Sequence, residues 1–355
     1  MTRFAFIIHP LFAKDIARKY PFMKSWPDGV IETALRFKKP MVAGEFRGIE
    51  AINGAKTEGL FMGCPMTPNM FMSYDVNFAY DRITQCAELA AKEGCELIGL
   101  GAFTSVVGDG GVTVAERVKG KIAVTTGNSY TVATAIEATF EVCKMVDMNV
   151  SQATLAVVGA TGSIGHTCAA IMSPQFARTL VVGRDLERTQ LVANDLRNAE
   201  ATTEVSRIRE ADVVVTVTSS DTAIILPEHL KPGAIICDVA RPRDVSVRVV
   251  QERPDVLVIE GGIVKVPGKP EFTFDFGFPQ GTAYACMSET MMLALENRPE
   301  NFTIGKEVSV AQVEETQRMA AKLGFKLDRF RAFDREVNQD VIDRVRDARQ
   351  QPIPA

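Results

Sequence analysis

The sequence has few residues of the kinds that build metal sites and disulfide frameworks. Its 355 residues include only three histidines, His9, His166 and His229, and none stands at metal-ligand spacing from another. The seven cysteines form no Cys-x-x-Cys pair, and their odd number argues against a disulfide framework. The sequence therefore predicts neither a metal ion nor a small disulfide-bonded fold.

Long apolar runs and a strong net charge are also missing. No apolar run is long enough to span a membrane, and the N-terminus lacks the charged-then-apolar pattern of a signal peptide. The net charge of −4 gives no reason to expect nucleic acid or an anionic membrane as the main partner. We expect a cytoplasmic protein without an integral membrane segment.

The second half of the chain has the pattern of a Rossmann fold. Near-continuous runs of Val, Ile, Leu and Ala, typical of strands covered on both faces, occur at 154–160, 179–183, 212–218, 234–240 and 256–261. Helix-length segments separate the first three runs, which predicts right-handed crossovers between parallel strands. The predicted fold class is therefore α/β, with a Rossmann-type doubly wound parallel sheet.

The length of the chain suits two domains. Residues 1–150 are predicted as a second α/β domain that binds the substrate, although 20–75 is rich in proline, glycine and methionine. Residues 151–265 are predicted as the NADP-binding Rossmann domain. Residues 266–330 are predicted as a C-terminal helical segment packing across both domains, and 331–355 as a charged helix or tail.

A glycine-rich turn lies between the first Rossmann strand and the start of a helix. Gly159 permits the sharp turn, Gly162 lets backbone approach a pyrophosphate, and Gly165 lets the helix pack closely on the strand. The helix N-terminus then offers free N–H groups to the phosphates. The predicted cofactor-binding residues of this turn are Gly159, Ala160, Thr161, Gly162, Ser163, Ile164 and Gly165. The alternative is an ordinary glycine-rich turn between a strand and a helix.

The end of the second strand distinguishes NADPH from NADH. NAD enzymes usually place Asp or Glu there, accepting hydrogen bonds from the ribose hydroxyls. Arg184 instead falls where a guanidinium can clamp a 2′-phosphate, which favours NADPH. The adjacent Asp185 keeps NADH open as the alternative. Thr218 and Ser219, after the third strand, are expected by position alone to border the nicotinamide ribose.

A cysteine near the start of a predicted helix is a candidate nucleophile. Because helix N-termini stabilise thiolates, Cys286 could accept an acyl group as a thioester. From the residues alone the favoured interpretation is a small apolar side chain packed on the sheet, since six other cysteines compete. Cys64 is the next candidate thiol. His9, after the first strand, is either an acid–base group or a hydrogen-bonded structural residue.

Several segments together resemble the cyanobacterial long-chain acyl-[acyl-carrier-protein] reductases. The matching stretches are Leu100–Val106, Thr125–Thr131, Ala156–Gly165, Glu260–Val264 and Tyr284–Leu293. Of these, the Thr-Thr-Gly-Asn segment is far more specific than the glycine turn. The stretches 20–60 and 266–272 and the chain beyond 330 differ from the family, so the acyl chain length and the carrier stay open.

The resemblance implies the NADPH-dependent reduction of a fatty acyl thioester to a fatty aldehyde. It makes Cys286 the residue that carries the acyl group, which reverses the preference for a packed apolar residue. It also places the family's cofactor-binding arginine at Arg184. Thr126 and Asn128 are candidates for the oxyanion donor. The expected partners are acyl-carrier protein or acyl-CoA as the acyl donor, and an enzyme that consumes the aldehyde.

Two other functions stay open. One is an NADP-dependent alcohol or hydroxy-acid dehydrogenase in which Cys286 is structural, although no Tyr-x-x-x-Lys pair follows the third Rossmann strand. The other is a non-catalytic NADP(H)-binding regulator. Loss of NADPH that depends on an added thioester separates both from an acyl-thioester reductase.

Overall fold

The computed structural model describes residues 1–18, 21–275, 277, 279–333 and 335–350. Contacts between Cα atoms divide the chain into two units. The first unit comprises residues 1–127, 265–306 and 315–326, and the second comprises 128–264, 307–314 and 327–355. Residues 128–150 therefore belong to the unit that contains the predicted Rossmann strands.

Strands and helices are interspersed along the whole chain. Residues 1–127 contain β1 (Phe4–Ile8), α1 (Asp28–Phe37), β2 (Met41–Glu50), β3 (Lys56–Gly63), α2 (Pro68–Ser73), α3 (Val76–Lys92), β4 (Leu97–Gly99), α4 (Phe103–Val106), α5 (Val112–Arg117) and β5 (Ala123–Thr125). Next come α6 (Asn128–Met145), β6 (Thr154–Val158), α7 (Ser163–Met172), β7 (Arg178–Val182), α8 (Leu186–Asn194), β8 (Ala199–Thr202), β9 (Val213–Thr216), β10 (Ile235–Asp238), α9 (Val247–Glu252), β11 (Leu257–Glu260) and β12 (Ile263–Lys265). The remaining elements are β13 (Gly268–Phe272), β14 (Thr282–Tyr284), α10 (Ala285–Leu295), α11 (Val310–Leu323), β15 (Lys326–Leu327), β16 (Arg331–Ala332), β17 (Arg335–Glu336) and α12 (Gln339–Gln350).

The first unit is built on a mixed sheet with the strand order β13-β2-β3-β1-β4-β5. Strand β1 pairs in parallel with β3 and β4, and β4 pairs in parallel with β5. Strands β2 and β13 join antiparallel at the other edge. Buried side chains of β1, β3 and α3 form the core of this unit. The carboxyl ends of β1, β4 and β5 therefore point towards the same edge of the sheet.

The helix α3 shows how the local sequence fixes an element of this unit. Its N-cap residue Asp75 accepts a hydrogen bond from the backbone N–H of Asn77 at 2.8 Å, which satisfies one free donor of the first turn. Ile83, Cys86 and Ala90 recur at helical spacing and are buried. The apolar face of α3 is thereby committed to the core of the first unit.

The second unit contains the predicted Rossmann sheet. Its six strands run in parallel in the order β11-β10-β9-β6-β7-β8, the arrangement of two β-α-β halves. All five predicted strands are present, and the α/β fold class is confirmed. The strand order reverses between β6 and β9, and ligands of such sheets bind at this point, outside the carboxyl ends of the strands.

The charged C-terminal helix α12 packs on the second unit. Ile342 and Val345 are buried, and Arg346 donates a hydrogen bond to the carbonyl of Met145 at 2.5 Å. Arg349 donates to the carbonyl of Gly233 at 3.2 Å. Residues 351–355 lie outside the described part of the chain.

Candidate active site

The predicted cofactor turn lies at the carboxyl end of β6. Gly159 has φ of +85°, and a Cβ there would stand 2.5 Å from the carbonyl oxygen of Val217. A Cβ on Gly165 would overlap the carbonyl of Gly159. Around Gly162, only the Gly159 carbonyl oxygen lies near the position of a Cβ, at 3.3 Å. Two glycines thus permit close packing of the turn, while the third leaves room for a ligand against the backbone.

Helix α7 begins directly after Gly162 and presents backbone donors. No side chain of the described residues caps its N-terminus, and the first N–H of the helix ladder, that of His166, donates to the Gly162 carbonyl at 2.8 Å. Ala160 is buried, whereas Thr161, Ser163 and Ile164 are half-buried. An uncapped helix N-terminus behind a glycine turn suits the pyrophosphate of a dinucleotide. The residues present therefore fit the pyrophosphate of a nicotinamide dinucleotide.

Arg184 and Asp185 follow β7 and have different surroundings. The carboxylate of Asp185 caps α8 by accepting a hydrogen bond from the backbone N–H of Arg188 at 3.0 Å. Arg184 is exposed, and within the described part of the chain its side chain makes neither an ion pair nor a hydrogen bond. The acidic residue is thus committed to the helix, and the guanidinium is available to an anion.

Thr218 and Ser219 lie in the loop after β9. Thr218 donates its hydroxyl hydrogen to Asp244 at 2.5 Å, and Ser219 is exposed. Asp244 is fully buried and is a site residue that sequence reasoning missed. A carboxylate shortly after an apolar strand is visible in the sequence, but its burial is not.

Cys286 is the second residue of α10, a helix of the first unit that is buried along most of its length. The side chain of its N-cap residue, Tyr284, makes no capping hydrogen bond. Cys286 is half-buried, whereas the other six cysteines, including Cys64, are buried. Desolvation raises the pKa of Cys95 to about 11 and that of Cys143 and of Cys237 to about 12. A half-exposed thiol at a helix N-terminus is the most suitable nucleophile of the seven.

The Thr-Thr-Gly segment after β5 packs against the first turns of α10. Gly127 has φ of +75°, and a Cβ there would overlap the Cα and Cβ of Cys286. Thr125 donates its hydroxyl hydrogen to the buried carboxylate of Glu289 at 2.5 Å. Glu289 lies one helical turn beyond Cys286. The segment is thus held against the helix that carries the candidate nucleophile.

The two predicted oxyanion donors have different positions. Thr126 donates its hydroxyl hydrogen to the carbonyl of Thr303 at 2.8 Å, and its backbone N–H donates to the same carbonyl at 2.8 Å. The hydroxyl hydrogen that would stabilise an oxyanion is therefore engaged. Asn128 is 4% exposed and begins α6.

The surroundings of His9 support the structural interpretation. Its Nε2 accepts a hydrogen bond from the backbone N–H of Phe103 at 3.2 Å, and its Nδ1 lies 3.0 Å from the carbonyl oxygen of Pro10. The rings of Phe71 and Phe103 pack at 5.2 Å and 6.0 Å from the imidazole. Desolvation lowers the pKa of His9 to about 4. A neutral imidazole with both nitrogens engaged is a hydrogen-bonded structural group.

Helix length and ligand clustering are the features of the described residues that bear on membrane crossing and on metal binding. Among them, no helix combines the length and apolar character that a membrane crossing needs. The same residues include no cluster of three His, Cys, Asp or Glu side chains arranged to hold a metal ion.

The fold and the glycine turn define a nicotinamide-dinucleotide-binding α/β protein. The family profile described as Shikimate / quinate 5-dehydrogenase matches residues 141–260, which cover the Rossmann sheet from α6 to β11. The match indicates that the second unit binds a nicotinamide cofactor, as in enzymes of the dehydrogenase or reductase kind.

Two curated proteins are similar over most of the chain. Aminotransferase PigE from Serratia sp. is 29% identical over 289 residues, which are 79% of this chain but 33% of PigE. The chain thus spans about a third of the length of that relative. The long-chain acyl-[acyl-carrier-protein] reductase of Synechococcus elongatus is 23% identical over 335 residues, covering 88% of this chain and 94% of the reductase. The chain is a distant homologue of that reductase.

Among solved structures, glutamyl-tRNA reductase from Methanopyrus kandleri is 22% identical with a TM-score of 0.31. The alignment covers 52% of this chain and 45% of that enzyme.

Proposed function

We propose that the chain reduces an acyl thioester to an aldehyde with NADPH, and that Cys286 carries the acyl group during the reaction. The observation that supports this most is the position of Cys286, a half-exposed thiol in the first turn of α10. The distant similarity to an acyl-[acyl-carrier-protein] reductase over most of both chains agrees with it.

The first step of the proposed reaction needs no cofactor. The Cys286 thiolate, favoured by the partial positive charge of the helix N-terminus, attacks the thioester carbonyl. The carrier thiol leaves with a proton, and the acyl group stays on Cys286. Gly127 lies against the Cα and Cβ of Cys286, a close approach that only a glycine permits. Asn128 is the proposed oxyanion donor, while Thr126 holds the segment in place through Thr303.

The second step depends on the cofactor. When bound, the nicotinamide supplies the hydride that releases the acyl group as an aldehyde. The turn from Gly159 to Gly165 holds the pyrophosphate, and Thr218 and Ser219 border the nicotinamide ribose. We propose NADPH because Arg184 is exposed and unpaired within the described chain, whereas Asp185 is engaged in capping α8.

The partners follow from this chemistry. The proposed acyl donor is a thioester of acyl-carrier protein, as the name of the reductase from Synechococcus elongatus suggests, or of coenzyme A. The product needs an enzyme that consumes aldehydes. PigE is named an aminotransferase, a class of enzyme that transfers an amino group to a carbonyl compound, so an aminating step is one proposed fate of the aldehyde.

The test is the formation and discharge of the covalent intermediate. Incubation with a long-chain acyl thioester alone should add one acyl group to the protein, measured by intact mass, and peptide mapping should place it on Cys286. Addition of NADPH should discharge the adduct as an aldehyde. Cys286→Ala should lose adduct and turnover while keeping its affinity for NADPH. Cys286→Ser should do the same, because a hydroxyl is a poor nucleophile without an activating base.

Cys64→Ser is the matched control, since Cys64 belongs to the same unit but is 1% exposed. It should keep both adduct and turnover. Near-wild-type reduction of thioesters by Cys286→Ala would contradict covalent catalysis. Oxidation of an alcohol or hydroxy acid without any adduct would favour a simple dehydrogenase, and cofactor binding without turnover of any thioester would favour a regulator.

A further inference from the structure

The loop 216–220, which begins at the last residue of β9, is held by one buried carboxylate. Asp244 accepts hydrogen bonds from the hydroxyl of Thr216 at 2.6 Å, from the backbone N–H of Thr218 at 2.8 Å and from the hydroxyl of Thr218 at 2.5 Å. Asp244 and Thr216 are both 0% exposed. Three charge-assisted hydrogen bonds thus fix the first residues of this loop without exposing the carboxylate.

Asp244 is itself fixed from the neighbouring strand. Asp238, at the end of β10, accepts hydrogen bonds from the backbone N–H groups of Ala240 at 3.1 Å and Val245 at 3.0 Å. The carbonyl of Asp244 accepts from the N–H groups of Ile224 at 2.8 Å and Ile225 at 2.9 Å. The backbone around Asp244 is therefore tied down on both sides, and its carboxylate cannot follow the loop if the loop moves.

The same loop touches the glycine turn of the cofactor site. The position of a Cβ on Gly159 is 2.5 Å from the carbonyl oxygen of Val217 and 3.1 Å from Cγ2 of Thr218. The N–H of Val217 donates to the carbonyl of Val158 at 3.0 Å. These contacts join the ends of β6 and β9, the two strands between which the strand order reverses.

From these contacts we infer that Asp244 is a positioning residue for cofactor binding, which sets the loop 216–220 for the nicotinamide half of the dinucleotide. It does so through Thr218 and without touching the ligand. The adenine half is served by the turn 159–165 and by Arg184, neither of which bonds to Asp244. The inference rests on nicotinamide binding by the second unit and not on thioester reduction.

The chemistry of the three partners explains why an acidic residue stands here. The hydroxyl of Thr216 and the hydroxyl and backbone N–H of Thr218 are all hydrogen-bond donors, and an ionised carboxylate can only accept. An asparagine can still accept from Thr216 and from the N–H of Thr218 with its amide oxygen, if the Thr218 hydroxyl turns to accept from its NH₂ group. An alanine can accept from none of them. The expected order of cofactor affinity is therefore wild type, then Asp244→Asn close behind, then Asp244→Ala.

The experiment measures the Kd of NADPH and of adenosine 2′,5′-bisphosphate by calorimetry on the full chain and its variants. The second ligand carries the adenine half without nicotinamide. Asp244→Ala should raise the Kd of NADPH about tenfold or more, since a loop competent in one molecule in ten raises the apparent Kd by that factor. The Kd of adenosine 2′,5′-bisphosphate should stay unchanged, and Asp244→Asn should restore most of the NADPH affinity. If Asp244→Ala does not fold, Thr218→Val, which removes one of the three bonds, should show the same selective loss to a smaller degree.

Asp212→Asn is the matched control. Asp212 also accepts a backbone hydrogen bond, from the N–H of Thr154 at 2.8 Å, but it stands at the amino ends of β6 and β9. This variant should leave both dissociation constants unchanged. Equal weakening of both ligands by Asp244→Ala, or no weakening of NADPH, would overturn the positioning role. The positioning role would also be overturned if the wild-type chain bound neither NADPH nor NADH. Binding of NADPH with no turnover of thioesters would contradict only the proposed function.

Discussion

The contact between Gly127 and Cys286 gives a prediction about stability. It separates the energetic cost of an unfavourable backbone conformation from the cost of overpacking. Gly127→Ala forces an alanine into φ of +75° and places its Cβ on the backbone of Cys286. The left-handed conformation costs about 1–2 kcal/mol, and overpacking a filled site adds about 1–3 kcal/mol. We therefore expect the free energy of unfolding to fall by roughly 2–5 kcal/mol, the sum of the two effects.

Gly120 supplies the control for this prediction. It has the same φ of +75°, but no atom lies within 4 Å of the position of its Cβ. Gly120→Ala should therefore cost only the conformational part, about 1–2 kcal/mol. Urea unfolding of the two variants measures the difference, which reports the contact with Cys286.

A second readout tests the site directly. Alkylation of Cys286 by iodoacetamide, followed by peptide mapping, should slow in Gly127→Ala because the added methyl group crowds the thiol. It should proceed at the wild-type rate in Gly120→Ala. Equal loss of stability in both variants, together with unchanged alkylation, would refute the close approach of the Thr-Thr-Gly segment to α10.

Three further outcomes are expected. Arg184→Ala should weaken NADPH binding by roughly 10- to 100-fold and barely change NADH binding, because a charge-assisted bond to the 2′-phosphate is lost; equal loss for both cofactors would make Arg184 structural. Burial raises the pKa of Asp238 to about 7, so the folded state keeps a proton that the unfolded state releases, and stability should fall as pH rises from about 4 to 7. Urea unfolding at several pH values should show a weaker fall of the free energy of unfolding in Asp238→Asn than in the wild type. Identical pH profiles of the two proteins would show that Asp238 does not bind this proton. Longer acyl thioesters should be better substrates, with kcat/KM rising by at most about fourfold per methylene, and a flat profile over chain length would contradict an apolar acyl site.

The parts of the second unit that depend on local pattern were predictable from the sequence. Its strands β6, β7, β9, β10 and β11 are buried on both faces, so each appears as a continuous apolar run. The edge strand β8 has the sequence Ala-Glu-Ala-Thr and lacks such a run. Strands β2 and β3 were missed because their stretch is rich in proline, glycine and methionine, and β2 is only partly buried.

The candidate site was predictable only where one residue type at one position carries the chemistry. The glycine turn and Arg184 belong to this kind, and so does Cys286 once the family resemblance is added. The engagement of the Thr126 hydroxyl by Thr303 was not predictable, because the two residues are far apart in the sequence.

By itself the sequence determined the α/β class, the Rossmann unit and the glycine turn, because periodicity and glycine spacing are local properties of the chain. Only the tertiary structure decided which polar groups are free to act. The carboxylate of Asp185 caps α8. His9 is neutral between a backbone donor and a backbone acceptor, and Asp244 is buried beneath the loop 216–220. Burial and hydrogen-bond partners arise from segments that meet only in the folded chain, and they decide whether a side chain of suitable chemistry can act on a ligand.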